Sequence, residues 1–220
     1  MGLLLLPGCA GLPQSRQVYQ DPITSVRLHV DKRARNGHSH PARITTEQIT
    51  QVLSGLRVVP RRGVMSPITM GNTQESPAFS TIEIQRLAPQ LSRAIEQARP
   101  EELVTFYRRV ADASVGLAIT SGGFFVRQTH LYVVLANQRT LPSAGMNQNI
   151  VAEIDPIDSP LLPIDRSDFR VTFTPALAVV PADERESWPY IDEGRVVVID
   201  LIQLSRETSK AQSDERPLER

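Results

Sequence analysis

The chain of 220 residues is expected to form an α+β domain. The expected fold is an antiparallel sheet drawn from the C-terminal half, with two or three helices from the N-terminal half packed on one face. Three observations predict it. Helix-start signatures crowd the first half. The apolar spacing becomes strand-like after Ala113. The later strands lack the intervening helices that a doubly wound parallel sheet needs.

Ser25 to Asp31 alternates apolar and polar residues, the period of a half-buried strand. Lys32 to Pro41 is polar and reads as a loop. Thr45 and Gln48 form a capping box, with Ile44 and Ile49 as the hydrophobic staple. Ile49, Val52, Leu53 and Leu56 then repeat at helical spacing. Arg57 to Arg62 suits a short strand, and Gly63 to Pro77 a loop. Ser80 and Glu83 make a second capping box, stapled by Phe79 and Ile84. Pro89 falls inside that helix and is expected to kink or divide it near Ala88. Pro100-Glu101-Glu102 reads as a further helix start, with Leu103, Phe106, Tyr107 and Val110 facing the core.

Strands are expected at Val115–Ile119, Phe124–Arg127 and His130–Ala136. Ser121-Gly122-Gly123 and Gln128-Thr129 read as the turns between them. Further strands are expected at Ile150–Ile154, Phe169–Thr174 and Arg195–Leu204, with a short one at Ala176–Val180.

Composition excludes several function classes. Hydrophobic residues are 40% and charged residues 22%, which suits a packed domain. The formal net charge is +0 and aromatic residues are 5%, so neither a basic field nor a stacking platform supports nucleic-acid binding. Lys32 and Lys210 are the only lysines among 24 basic residues. The arginine clusters Arg33/Arg35, Arg61/Arg62 and Arg108/Arg109 are expected in surface ion pairs. The single cysteine, Cys9, excludes an internal disulfide and a cysteine-based zinc cage. Phosphate-loop and dinucleotide fingerprints are absent, and no cofactor is expected.

The position of Cys9 carries more. Leu3 to Leu6 is too short to span a bilayer and shorter than an ordinary signal-peptide core. Yet Leu6-Pro7-Gly8-Cys9 resembles the lipobox of bacterial lipoproteins, with Pro7 departing from the small residue usual at its position. The resemblance covers about ten residues. It implies that Cys9 is the lipid-attachment residue, and that a basic segment precedes Met1. Ala10 after the cysteine implies an outer-membrane destination facing the periplasm. Acyl chains on Cys9 would anchor stably, at about 0.8 kcal/mol per buried methylene. Residues 1–22 are then a truncated signal segment, the attachment cysteine and a linker. Residues 23–204 form one domain, and 205–220 a disordered polar tail.

Chemistry-bearing residues are few. His38 and His40 could chelate a metal, but exposed loop histidines are the plainer expectation. Ser121 with His130 lacks a nucleophile elbow and an orienting acid. Asp155, Asp158, Asp165 and Asp168 punctuate a proline-bearing connection without the calcium-loop spacing. Trp188 and Tyr190 flank Pro189. They suit an anchor for a partner peptide or glycan, or a loop folded over the core edge.

The sequence therefore predicts a membrane-anchored envelope lipoprotein with a non-catalytic binding or scaffolding role, partnered by another envelope protein or a glycan. The alternatives are a hydrolase of envelope polymers or lipids, using the 155–168 carboxylates or His38/His40, and a soluble domain with a disordered N-terminus.

Overall fold

A computed structural model describes residues 15–34, 37–61, 75–112, 116–141, 157–164, 169–186 and 192–214. The chain is mixed α+β, with a six-stranded antiparallel sheet and three α-helices among the described residues. The strands are β1 (Ser15–Gln20), β2 (Thr24–Val30), β3 (Leu56–Pro60), β4 (Ser76–Pro77), β5 (Glu102–Asp112), β6 (Gly116–Arg127), β7 (His130–Thr140), β8 (Phe169–Phe173) and β9 (Val196–Asp200). The helices are α1 (Thr46–Gly55), α2 (Thr81–Gln97) and α3 (Leu201–Asp214). The large sheet runs β1-β2-β5-β6-β7-β9, and a smaller one runs β4-β3-β8.

Both expected capping boxes form. Thr45 Oγ1 accepts from Gln48 N–H at 3.2 Å, while the Gln48 side chain accepts from Thr45 N–H at 2.9 Å. Ser80 and Glu83 do the same at the start of α2. These contacts satisfy donors that a helix start otherwise leaves orphaned. Pro89 does not divide α2, which runs unbroken through it. Leu87, Ala88 and Leu91 are fully buried on the core side, whereas Pro89 and Gln85 are exposed. Water can serve the carbonyl that Pro89 leaves without a donor.

Four expectations are corrected. Pro100-Glu101-Glu102 opens no helix, because Glu102–Asp112 is β5, paired with β2 and β6. Leu103 to Arg108 is buried on both faces, so its near-continuous apolar run fits either period. Ser121-Gly122-Gly123 is no turn but the middle of β6. A Cβ on Gly122 would lie 2.0 Å from the Val134 carbonyl oxygen, so glycine is required by that close approach. The sheet also draws β1, β2 and β5 from the first half of the chain, with β1 inside the expected linker. The C-terminal segment from Leu201 to Asp214 is α3, not strand followed by disordered tail.

The strand expected at Ile150–Ile154 lies outside the described residues. Ala176–Val180 forms a 3₁₀ turn and a bridge from Val179 to Ile199.

The main core joins buried residues of α1 and α2 to Val26, Leu28, Val104, Phe106, Phe124 and Val126. The small sheet adds Leu56, Val58, Phe169, Val171 and Phe173, and α3 adds Leu204. Strand side chains alternate between faces. The opposite face therefore carries Ser25, Arg27 and His29 of β2, opposite Tyr107, Thr105 and Leu103 of β5. A smaller apolar cluster sits on that side around Phe125, Tyr132, Val134 and Val198.

Candidate functional site

The loop after β2 is set by a tight turn. Ala34 N–H donates to Asp31 O and Gly37 N–H to Ala34 O. Gly37 takes φ +72°, a backbone region that glycine enters without Cβ strain. The loop is then stitched across one end of the large sheet. Asp31 N–H donates to Glu101 O at 2.8 Å and His38 N–H to Pro100 O at 2.6 Å. Ser39 N–H donates to Val126 O, and Ser39 Oγ accepts from Gln128 N–H.

This stitching buries two imidazoles. His38 and His40 are each 5% exposed, which corrects the expectation of solvent-facing loop histidines. Composition marked the loop as polar, but its backbone ties it to β6 and to the α2–β5 turn. The rings lie 5.8 Å apart, centre to centre, with planes at 74°. His38 packs on Phe125 at 4.5 Å, and Phe125 stacks on Tyr132 at 4.5 Å. His38 Nε2 lies 3.1 Å from Asp31 Oδ2. His38 Nδ1 is buried with no hydrogen-bond partner, and the His40 ring has only a loosely aligned contact with the Ile95 carbonyl.

The electrostatics follow from burial. Desolvation, aided by the neighbouring His38, pushes His40 down to about 4, so its ring is neutral near pH 7. Burial raises Asp31, but hydrogen bonds from His38 and the Arg33 backbone outweigh it and leave the carboxyl below its usual range. Glu102 is handled alike at the same end of the sheet. Burial opposes its charge, yet Arg16 grips it with two contacts at 2.8 and 2.6 Å and Arg99 N–H adds a third, so its pKa also falls. That grip holds the edge strand β1 to the start of β5.

The other sequence candidates separate. Ser121 Oγ donates to Pro160 O at 2.6 Å and accepts from Asn137 Nδ2 at 2.8 Å. Ser121 pairs with Asn137 while His130 begins the same strand β7, seven residues away. At about 3.3 Å per residue, serine and histidine are roughly 23 Å apart along the strand.

Asn137 also donates to Leu162 O and accepts from Ile164 N–H. Asp158 pairs with Arg27. Ser121, Asn137 and Asp158 thus strap residues 157–164 over the second face of the sheet. Of the arginine clusters, Arg61 pairs with Asp192 and the buried Arg108 with Glu83 at 3.5 Å, while Arg109 is exposed. Cys9, Arg35, Arg62, Asp155, Asp165, Asp168, Trp188 and Tyr190 lie outside the described residues.

Asp31 and Asp21 are the carboxylates the sequence offers to the histidine pair, without a recognisable spacing, and of the two it is Asp31 that meets His38. Its separation of seven from His38 matches no ligand motif, and the turn closed by Gly37 brings the two together. The usable signal was His38-Ser39-His40 itself, since residues two apart share a side in extended backbone.

Among the described residues, no three His, Cys, Asp or Glu side chains gather as a metal cage. No described helix is long and apolar enough to cross a membrane. Comparison with known protein families, with curated proteins and with solved structures returned no match to this chain.

Proposed function

We propose that this chain is a lipid-anchored protein of the bacterial cell envelope with a non-catalytic binding or scaffolding role. The observation that carries the reading is the lipobox-like Leu6-Pro7-Gly8-Cys9 in a chain with a single cysteine. In this reading α1 and α2 pack on one face of the large sheet, and the linker enters the domain at β1. The Arg16–Glu102 contact fixes the start of β1, so a pull on the anchor meets a half-buried ion pair. The engagement of Ser121 and Asp158 in structural contacts supports the binding role over the hydrolase one. Both hold the 157–164 strap. Trp188 and Tyr190 are the candidate contacts for an envelope protein or glycan.

The test is metabolic labelling with a palmitate analogue in a bacterial host, comparing wild type with Cys9→Ser. The expected outcome is label and membrane association in the wild type and neither in the variant. An unlabelled wild type, or a Cys9→Ser protein that stays in the membrane fraction, would overturn the anchor.

A further inference from the structure

We propose that His38 and His40 hold a single Cu⁺ ion between their rings. Two ring nitrogens at this place, His38 Nδ1 and one of His40's, are buried without a partner, while the Ile95 carbonyl serves the other side of the His40 ring. Buried polar atoms in folded proteins nearly always have one, so two neighbouring orphans mark a position that something else fills. The imidazoles are prepared for a metal. His38 Nε2 faces Asp31 Oδ2 at 3.1 Å, which turns its N–H toward the carboxylate and leaves the Nδ1 lone pair outward. A carboxylate behind the histidine is the arrangement that orients metal-binding imidazoles and raises their basicity.

Distance and coordination number choose the ion. With metal–nitrogen distances of about 2.0–2.1 Å, two rings on opposed sides of one ion have centres up to about 6.4 Å apart. The observed separation is 5.8 Å. No third His, Cys, Asp or Glu joins them among the described residues, so the tetrahedral set that Zn²⁺ wants is not assembled. A d¹⁰ monovalent ion is satisfied by two opposed nitrogens, and copper accepts imidazole. A buried cation also needs a balancing charge. Asp31 supplies negative charge beside His38, and Glu102, already engaged by Arg16, adds to the field at His40. Phe125, stacked on Tyr132, walls the site on the His38 side.

The test is an anaerobic Cu⁺ titration of the metal-free full chain against a chromophoric Cu⁺ chelator, with Zn²⁺ in parallel. Wild type is expected to withdraw one more equivalent of Cu⁺ than His40→Leu or His38→Gln, and to bind Zn²⁺ at least tenfold more weakly. One equivalent should move the ring ¹⁵N resonances of His38 and His40. Asp31→Asn, a positioning change, should weaken uptake about 10–100-fold without changing stoichiometry. Circular dichroism identifies any variant that has unfolded. His40→Leu removes only the contact to the Ile95 carbonyl, which Ala42 N–H also serves, and is the variant expected to keep the fold. Equal Cu⁺ uptake by wild type and a folded His40→Leu, or ring resonances that do not move, would overturn the site and leave ordered water as its occupant.

Discussion

The two sides of the large sheet are built differently. On one, Val26, Leu28, Val104, Phe106, Phe124 and Val126 merge with α1 and α2 into a single core in which nearly every side chain is apolar. On the other, Ser25, Arg27 and His29 stand where β2 could have carried a second apolar row, and Ser25 Oγ, Arg27 Nε and His29 Nε2 are buried without hydrogen bonds. The end of that side is closed by the buried His38, His40 and Asp31. Unpaired buried polar atoms cost stability, whereas packed apolar ones supply it. The first side carries such atoms at its rim, on Thr24 and Arg108, around an apolar core that holds the fold, whereas the second carries them along the length of β2.

That contrast gives a ranked set of expectations. The largest effect belongs to the apolar side. Phe106 is 1% exposed and touches Phe79 and Phe124 edge-on or tilted, both at 5.8 Å. Phe106→Ala should cost about 3–5 kcal/mol in urea unfolding, through lost transfer energy and a cavity.

The next effect is pH-dependent and belongs to the polar end. His40 is depressed in the fold from 6.5 to about 4. The unfolded chain therefore binds the proton first as pH falls. Stability is full above about 6.5, declines between 6.5 and 4, and levels below. The loss is on the order of 3 kcal/mol for the metal-free protein. Asp31 and Glu102, both depressed, act only lower, where their carboxylates begin to protonate. Unfolding curves at several pH values between 7 and 4.5 would show the slope.

How much of this was legible in the sequence follows the range of the interactions. The starts of α1 and α2 were readable because Thr45 with Gln48, and Ser80 with Glu83, bond within three residues. β5 was not. Pro100-Glu101-Glu102 carries a helix-start signal, but Glu102 is used by Arg16, 86 residues away, and by the Arg99 N–H. Gly122 and Gly123 looked like a turn because the close approach of Val134 is visible only once β6 and β7 are paired. His38 and His40 were readable as a pair, but not as buried. Their burial depends on backbone contacts to Pro100 and Val126, far along the chain. Asp31 became a partner through the same loop.

The most direct test of the difference between the two sides is the stability of metal-free His40→Leu at pH 7, by urea unfolding. His40 meets only the Ile95 carbonyl, which also accepts from Ala42 N–H, so leucine in its place leaves no backbone group without a donor. The variant is expected to be at least as stable as wild type, within about 1 kcal/mol or better. A loss of several kcal/mol would contradict it, because His40 would then be a structural residue of the fold and the polar end would follow the same rules as the core.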